Sequence, residues 1–251
     1  MPPVTVTNAI VFPTVYGQVI VNRHDLNQTL HLLQTGAAID YPEIDIVSQL
    51  VEPGMVAVDV GACFGLWTLA FAKNAAAVYT FEAQRLLYNC ICGSLALNSI
   101  ENVFVYNAAI GATNGTIDVP RYDYHGQLQF GCVHLCPRKD HGEMLQEPKG
   151  SESVPLIALD VLGLPQIDVM KVDVEGMELD VLKGAKQLIE KSRPALYVEI
   201  ILTDRQAVVD FLEPMGYVFT GNTDNLLALP KEKYTLTPRE DGKTLITKVT
   251  A

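Results

Sequence analysis

The sequence is poor in basic residues. It contains 18 Lys and Arg residues against 29 Asp and Glu residues, which gives a formal net charge of -11 and a pI near 4.8. Binding to nucleic acid or to an anionic membrane surface depends on clustered Lys and Arg side chains. The charge balance therefore predicts no nucleic acid partner and no membrane partner.

Long apolar runs and a targeting segment are also missing. Nowhere do about 18 uncharged apolar residues follow one another, which is the length that a membrane-spanning helix needs. The first residues, MPPVTVTNAI, have neither the basic start nor the apolar stretch of a signal peptide. These features predict a cytoplasmic protein.

The cysteines do not form a regular set. Five are present at irregular spacing, and an odd number suits reduced thiols better than a disulfide framework. The stretch CVHLC would put Cys132, His134 and Cys136 on one face if it were a strand. It is not a C-x-x-C pair, however, and no second ligand pair follows it, so we expect no metal site.

From Met55 onward, apolar runs typical of buried strands alternate with segments of helical periodicity. Such alternation predicts βαβ units and a mostly parallel sheet, because parallel neighbours need a crossover connection. We expect an α/β fold with seven strands and with helices on both faces of the sheet. The predicted strands are 56–60, 77–81, 103–107, 167–172, 195–200, 216–219 and 225–229, and the predicted helices are 65–73, 84–97, 177–190 and 204–214.

Two segments depart from this alternation. Residues 1–54 carry β-branched and aromatic runs followed by two short helical stretches, which predicts a β-hairpin and helical extension before a binding domain at 55–251. Between about 112 and 154 the alternation fails, which predicts an inserted arm that is part strand and part loop. A chain of 251 residues is short enough for all of these segments to form one compact unit. The apolar hairpin is also a candidate for pairing two subunits into a homodimer.

A glycine turn separates the strand at 56–60 from the next helix, in the stretch VAVDVGACFG. Gly61 and Gly65 would let the backbone pass close to a ligand, at which the N–H groups of the helix start would point. The plain alternative is that both glycines only allow a tight turn. A dinucleotide fingerprint would need glycines where Cys63 and Leu66 stand, so a nicotinamide cofactor is the weaker candidate.

Glu82 follows the next strand, about 20 residues after the turn, where a carboxylate can accept both hydroxyl groups of a ribose. The plain alternative is an exposed Glu that favours the dipole of the helix it precedes. A ribose acceptor without room for a pyrophosphate fits S-adenosylmethionine, a nucleoside with a short zwitterionic tail. The carboxylate of that tail would meet the N–H groups near Ala62 to Gly65, and its amine would meet backbone carbonyls or Asp59.

These segments resemble the class I S-adenosylmethionine-dependent methyltransferases, and specifically the FkbM-type family, from about Asp25 to Leu229. The resemblance is carried by YPEIDIVSQLVEPGMVAVDVGACFGLWTLAFA, by VYTFEAQRLLYNCICGSLALNSIENVFVYNAAIG and, with the greatest specificity, by VPLIALDVLGLPQIDVMKVDVEGMELDVLKGA. It implies a Rossmann-like sheet of seven strands whose last strand is antiparallel, and methyl transfer that is usually directed to an oxygen.

The resemblance also has two departures. Cys63 stands where the family usually has Asn, and the stretch FEAQ lacks the proline that often follows the Glu. Because a thiol is a weaker hydrogen-bond partner than an amide, one cofactor contact is in doubt at Cys63. The resemblance further implies that Asn107 and Ala108 meet the adenine. The expected cofactor-binding residues are Asp59, Gly61, Ala62, Cys63, Gly65, Thr68, Glu82, Ala83, Asn107, Ala108 and Asp173.

Methyl transfer to a hydroxyl group is assisted by a base near the methyl group. Asp173 and Glu175, in the stretch KVDVEGME, are expected to follow a strand at the ligand-binding edge of the sheet and to share a face of an extended segment. The plain alternative is that they cap the next helix and hold the cofactor loop. Glu199 ends the following strand and ranks behind them. His125 and His134 in the arm are further base candidates, because imidazole titrates near neutrality.

The sequence therefore predicts an S-adenosylmethionine-dependent O-methyltransferase that acts on a small molecule, a sugar or a natural product. Two alternatives stay open. One is a methyltransferase fold that holds the cofactor or a partner without turnover, and the other is a nicotinamide-dependent oxidoreductase. The extension and the arm, which would build the acceptor pocket, contain no motif that identifies the acceptor.

Overall fold

The computed structural model describes residues 7–133, 146–239 and 244–249. The first part of the chain contains the strands β1 (Ala9–Thr14) and β2 (Gly17–Asn22), the helices α1 (Gln28–Thr35) and α2 (Tyr41–Ser48), and then β3 (Val56–Val60), α3 (Leu66–Ala72), β4 (Ala77–Phe81), α4 (Arg85–Leu97), β5 (Val103–Tyr106), β6 (Ala109–Ile110) and β7 (Gly115–Pro120). The second part contains β8 (Ser151–Ile157), β9 (Val169–Val172), α5 (Glu178–Gly184), α6 (Lys186–Ser192), β10 (Ala195–Glu199), α7 (Arg205–Leu212), β11 (Tyr217–Gly221), β12 (Asn225–Pro230), β13 (Tyr234–Pro238) and β14 (Thr244–Lys248). Single turns of 3₁₀ helix lie at Phe130–Cys132, Leu159–Val161 and Glu213–Met215.

Seven strands form the central sheet, in the order β11-β12-β10-β9-β3-β4-β5. The five strands from β10 to β5 are parallel, and β12 is antiparallel to both of its neighbours. The expected seven-stranded, mostly parallel sheet with an antiparallel last strand is therefore confirmed. Its predicted strands agree with the observed ones to within about two residues at each end.

The central strands are short and apolar because helices cover both faces of the sheet. All residues of β9 are buried, as are four of the five residues of β3 and of β10. One core cluster lies on the side of α3 and α4 and includes Phe71 and Ile91. The other lies on the side of α5, α6 and α7 and includes Val181 and Val208. Packing on both faces therefore holds the central strands in place, and with them the sheet edge that their carboxyl ends form.

The N-terminal extension packs against α4. The N–H of Gln18 donates to Asn98 Oδ1 and the N–H of Ile20 donates to Ser94 Oγ, both at 2.8 Å. A Cβ atom at Gly93 would lie 2.5 Å from Ile20 Cδ1, so a glycine lets the hairpin approach the helix. The expected hairpin and two short helices are confirmed. Val11 and Val15 remain 51% and 57% exposed, and the pairing of two subunits through this region stays a prediction.

The arm begins and ends in a small second sheet. Strands β7 and β8 pair antiparallel, and β6 pairs with β8 in parallel. The stretch CVHLC does not begin as the strand that was considered for it, because Cys132 lies in the 3₁₀ turn Phe130–Cys132. His134 and Cys136 lie outside the described residues.

Two further differences from the sequence prediction concern helices and strands near the C-terminus. The helix expected at 177–190 is divided into α5 and α6 at Ala185. Asp160 accepts hydrogen bonds from the N–H groups of Gln187 and Leu188 and so caps α6 separately. The hairpin of β13 and β14 was not expected from the sequence.

In the parts of the chain that are described, no helix is both long enough and apolar enough to cross a membrane.

Candidate functional site

A cleft of about 410 Å³ opens at the carboxyl ends of β3, β4, β9 and β10. This is the edge at which open α/β sheets bind ligands. Nine of the residues expected from the sequence line it, namely Gly61, Ala62, Cys63, Glu82, Ala83, Ala108, Asp173, Glu175 and Glu199. The structure therefore brings the cofactor candidates and the carboxylate candidates into one cavity.

The glycine turn after β3 has a left-handed backbone at Gly61, Cys63 and Gly65, with φ values of 77°, 52° and 82°. A Cβ atom at Gly61 would lie 1.7 Å from the carbonyl oxygen of Asp173. Gly61 is therefore required by the close approach of the segment after β9. A left-handed residue is unusual outside Gly, Asn and Asp. The Asn that the family resemblance places at position 63 suits this backbone better than the Cys found here.

The N–H groups of the turn are mostly bonded within the protein. Those of Gly61 and Ala62 donate to the Phe81 carbonyl, and that of Gly65 donates to the Ala62 carbonyl. The N–H of Phe64 donates to no described residue, and Phe64 lines the cleft. The N–H of Phe64 is thus one donor of this turn that stays available to the carboxylate of a ligand.

Glu82 is 5% exposed and stands directly after β4. Its Oε2 accepts a hydrogen bond from the N–H of Cys63 and its Oε1 accepts one from the N–H of Gln84, both at 2.8 Å. Burial raises the pKa of Glu82 to about 7, against the lowering effect of these two bonds. Each carboxylate oxygen can accept more than one hydrogen bond, so the group is held in place and keeps acceptor capacity toward the cleft.

Four of the expected cofactor residues stand behind the cleft surface. Asn107 donates to the carbonyls of Glu82 and Ala83, at 2.9 and 3.0 Å, and so fixes the segment that follows β4. Thr68 donates to Asp59 Oδ2 at 2.6 Å, and both side chains are fully buried. Gly65 packs against Ile91. Asp59, Gly65, Thr68 and Asn107 thus support the lining residues and do not themselves line the cleft.

Three further carboxyl groups of the cleft lining lie close together. Oxygen atoms of Asp173, Glu175 and Glu199 lie within 4.8 Å of one another. The expected extended segment is not found, because β9 ends at Val172 and Glu175 adopts a left-handed backbone with φ 56° before Gly176. This reversal brings Glu175 to Asp173 and Glu199. Such spacing would also admit a divalent cation, but the ammonium group of Lys171 already supplies a positive charge here.

Two members of the cluster, Glu175 and Glu199, have a raised pKa. Burial raises the pKa of Glu175 to about 8, and the charges of Asp173 and Glu178 add to this effect. Burial also raises the pKa of Glu199, with further contributions from Asp173 and Glu175. Carboxyl groups with such a raised pKa can act as bases near neutral pH.

Lys171 is a site residue that the sequence reasoning does not find. It lies in β9 and is 2% exposed, and its Nζ donates to the carbonyl of Gly61. The same Nζ lies 3.2 Å from Asp173 Oδ2 and 3.6 Å from Asp59 Oδ1. Burial alone would lower the pKa of Lys171, but the charges of Asp173, Asp59 and Asp40 outweigh it and raise the pKa. The one signal in the sequence is a charged residue inside the apolar run VMKV, since a buried charge needs partners.

The outer wall of the cleft comes from the extension and the arm. Asn27 and Gln28 line it from the start of α1, and Gly131, Cys132 and Val133 line it from the arm. Asp25 joins the two segments, because its Oδ2 accepts from the N–H of Thr29 and its Oδ1 accepts from the N–H of Phe130.

Asp40 lines the cleft from the start of α2 and accepts a hydrogen bond from the indole N–H of Trp67. Burial raises the pKa of Asp40 to about 6. The extension therefore contributes an acidic group as well as apolar surface to the cleft.

One of the two histidine candidates, His125, lies away from the cleft. His125 is exposed, its Nδ1 lies 2.8 Å from Asn8 Nδ2, and it lines a second cavity together with Arg121 and Tyr122. His134 lies outside the described residues. Of the five base candidates, Asp173, Glu175 and Glu199 are the ones that the structure assembles.

Comparison with known proteins agrees with this geometry. A family model described as the FkbM methyltransferase domain matches residues 59–219, more than half of the chain. The methyltransferase sdnD of Sordaria araneosa is 29% identical over 188 residues, which cover 63% of this chain and 67% of that protein.

Two solved structures share the fold. The FkbM methyltransferase from Methylobacillus flagellatus superposes with a TM-score of 0.50 and 17% identity, and the match covers 75% of this chain and 50% of that chain. Trm5b from Pyrococcus abyssi superposes with a TM-score of 0.51 and 10% identity, covering 89% of this chain and 56% of that chain. The chain thus spans about half the length of these two structures. At such identities the likeness shows the fold alone, and this fold is the Rossmann-like fold of methyltransferases.

Proposed function

Because the chain belongs to the FkbM methyltransferase family, we propose that it transfers the methyl group of S-adenosylmethionine to a hydroxyl group of a small-molecule acceptor. The observation that carries the proposal is the buried carboxylate of Glu82 at the glycine turn. Two backbone N–H groups hold it in place beside a cleft of about 410 Å³. Such a fixed acceptor suits the two hydroxyl groups of a ribose.

The residues around Glu82 suit the other parts of the cofactor. The free N–H of Phe64 would donate to the carboxylate of the methionine tail. Ala83, Ala108 and Ile110 supply a mainly apolar wall where an adenine ring would lie. Asn107 would act indirectly, since it fixes the carbonyls of Glu82 and Ala83. The bound cofactor would supply an electrophilic methyl group, and the protein would hold the acceptor in line with it.

The carboxyl cluster supports deprotonation of a hydroxyl acceptor. Asp173, Glu175 and Glu199 line the same cleft as the cofactor residues. A carboxylate with a raised pKa takes up a proton more readily as the new C–O bond forms. We therefore assign the role of general base to this cluster and not to His125, which lines a different cavity.

The charge of the cleft favours an acceptor without negative charge. Its described lining carries five carboxyl groups and the single ammonium group of Lys171. The protons of that ammonium face Gly61, Asp173 and Asp59, so they are not available to an anionic acceptor. Phosphate or carboxylate groups near the reacting hydroxyl would meet repulsion. We therefore expect neutral hydroxylated molecules, such as sugars or natural products, to be the acceptors.

Calorimetric titration with S-adenosylmethionine and S-adenosylhomocysteine tests the cofactor assignment. We expect micromolar binding of both compounds and a loss of about tenfold or more in the variant Glu82→Ala, because the ribose acceptor is removed. The variant Glu101→Ala changes an exposed carboxylate and serves as the control. Unchanged affinity in Glu82→Ala would contradict the ribose role.

Failure of both compounds to bind to folded protein that is free of copurified ligand would contradict the cofactor assignment itself. The alternative of a methyltransferase fold that binds a partner and catalyses no reaction would then be favoured. A fluorescence titration with NADH, which we expect to show no binding, tests the nicotinamide alternative in the same samples.

A further inference from the structure

A charged side chain lies in the middle of the sheet. Lys171 is the third residue of β9, which runs between β3 and β10, and it is 2% exposed. Its register partners are Asp59 on β3 and Tyr197 on β10. Removing an ammonium group from water is costly unless its charge and its hydrogen bonds are matched. A lysine at this place therefore needs a structural or functional reason.

The contacts of Lys171 give that reason. Its Nζ donates to the carbonyl of Gly61, which begins the glycine turn, and it lies 3.2 Å from Asp173 Oδ2 at the carboxyl cluster. The third contact is Asp59 Oδ1 at 3.6 Å, a buried atom that has no hydrogen-bond partner among the described residues. One ammonium group thus touches the turn on the cofactor side and a carboxylate on the acceptor side.

We propose that Lys171 is a positioning residue that fixes the Gly61 turn relative to the Asp173 carboxylate and so aligns the two halves of the cleft. Where it concerns turnover, the proposal rests on the proposed methyl transfer. The backbone supports the same link, because the missing Cβ of Gly61 lets the Asp173 carbonyl approach the turn. Where these two segments approach each other, Lys171 adds a charge-assisted hydrogen bond, and such bonds are stronger than those between neutral groups.

Several acidic groups surround Lys171, and its removal would affect all of them. The charge of Lys171 lowers the pKa of the acidic groups around it, namely Asp40, Asp59, Cys63, Glu82, Glu175 and Glu199. In the variant Lys171→Met the charge is lost at similar side-chain length, so the pKa of the neighbouring carboxyl groups rises. The folded variant then binds extra protons, and its loss of stability grows as the pH rises.

The first experiment compares Lys171→Met with the parent protein at pH 6 and pH 8.5. We expect the affinity for S-adenosylhomocysteine to fall by about tenfold at pH 8.5 and by less at pH 6. A change of about tenfold is what the loss of one hydrogen bond to a charged group produces. Lys233→Met is the matched control. The Nζ of Lys233 also donates to two carbonyls, those of Ser192 and Arg193, but it does not line the cleft. We expect this control to lower thermal stability without changing the affinity.

A second variant keeps the proposal testable if Lys171→Met does not fold. The double variant Asp59→Asn and Lys171→Met removes the buried carboxylate that has lost its counter-charge. We expect it to fold and to lose most of the added pH dependence of stability, while its affinity for S-adenosylhomocysteine remains about tenfold reduced. An affinity at pH 8.5 within about twofold of the parent in either variant would overturn the proposal.

Turnover separates positioning from a purely structural role. Asp173→Asn is expected to lower kcat while the affinity for S-adenosylhomocysteine is retained, whereas Lys171→Met is expected to lower both. Combining the two substitutions should cost little more kcat than the worse single variant, because Lys171 would act through Asp173. Additive losses of kcat would overturn the proposal.

If the parent protein binds neither cofactor form, the proposed function fails. The pH dependence of stability in Lys171→Met still reports whether Lys171 neutralises this cluster.

Discussion

At the scale of single residues, the carboxyl cluster makes a prediction about turnover. The pKa of Glu175 is raised to about 8 by burial and by its acidic neighbours. If Glu175 accepts the proton of the acceptor, kcat should increase as the pH rises through about 8, because the ionised base becomes more abundant. The variant Glu175→Gln should lose at least about tenfold in kcat and this pH dependence, while S-adenosylhomocysteine still binds.

The pH dependence of kcat in Glu175→Gln and Asp173→Asn, measured beside the exposed control Glu101→Gln, checks this assignment. A rate increase near pH 8 that survives in Glu175→Gln would assign the titration to another group. Equal losses of turnover and of cofactor affinity would show that the two carboxylates hold the cleft together and do not act on the acceptor.

Some site residues can be predicted from the sequence because each follows an apolar strand, and Glu82 and Asp173 are of this kind. The carboxyl ends of parallel strands meet at one edge of a sheet, so position along the chain is enough to bring these residues together. Asp25 cannot be found in this way, because its partners Thr29 and Phe130 lie in the extension and in the arm. Lys171 is hidden for a related reason, since its partners Asp59 and Gly61 lie on and directly after β3, far away in the sequence.

At the scale of elements, the start of α5 makes the second prediction. Glu178 Oε1 accepts hydrogen bonds from the N–H groups of Val174 and Gly176, both at 3.0 Å, and its Oε2 accepts one from the hydroxyl group of Thr203. It therefore holds the reversal that carries Glu175. In Glu178→Ala two partly buried N–H groups lose a charged acceptor, which should cost about 1–3 kcal/mol of unfolding free energy.

Thermal denaturation and kcat of Glu178→Ala and Glu178→Gln measure this effect. Gln can keep an oxygen toward the two N–H groups and turn its amide NH₂ toward Thr203, so we expect a much smaller loss from it. Asp180→Asn, on the exposed side of the same helix, is the control. A loss in Glu178→Ala no larger than in this control would show that the reversal is held by other contacts.

The elements of the central sheet are predictable because their local and tertiary preferences agree. Strands such as AVYTF and VAVDV are mainly apolar, as burial on both faces requires, and a helix follows each of them. The break between α5 and α6 is not predictable from periodicity. A Cβ atom at Gly184 would lie 2.0 Å from the Gly111 carbonyl oxygen, and Asp160 caps α6 from another segment. These causes come from tertiary contacts.

At the scale of the whole molecule, the cleft is the meeting place of three parts of the chain. The sheet supplies the cofactor turn and the carboxyl cluster, the extension supplies Asn27, Gln28 and Asp40, and the arm supplies residues 131–133. The family match begins only at residue 59, so the extension lies outside it. We therefore expect acceptor selectivity to depend in part on a segment that the family match does not cover.

The acidic cleft also predicts how the stability of the whole molecule depends on pH. The pKa of Glu199 is raised by burial, and in the unfolded chain it returns to its ordinary value near 4.5. Between these two values the folded protein holds a proton that the unfolded chain has released, so the free energy of unfolding falls as the pH rises. Glu175, Glu82 and Asp40 act in the same direction, with pKa values raised to about 8, 7 and 6. The protein should thus be less stable at pH 9 than at pH 6.

The variant Glu199→Gln isolates one part of this effect, because its neutral amide resembles the protonated carboxyl group. Near pH 5 its Tm should equal that of the parent, and the difference should grow in favour of the variant as the pH rises. A gain of about 1 kcal/mol at pH 9 would raise Tm by about 2–4 °C in a chain of this size. Glu190→Gln, an exposed carboxylate paired with Lys186, should show no such pH-dependent gain.

Thermal scans of the two variants and the parent from pH 5 to pH 9 measure this gain, and kcat measured on the same samples shows its functional cost. We expect Glu199→Gln to be more stable at alkaline pH and less active, because the repulsion that destabilises the folded protein also keeps a proton acceptor near the methyl group. A variant that is less stable than the parent at pH 9 would show that Glu199 is held as an anion by favourable contacts. The acidic end of the cleft would then act as a neutralised structural cluster and not as a base.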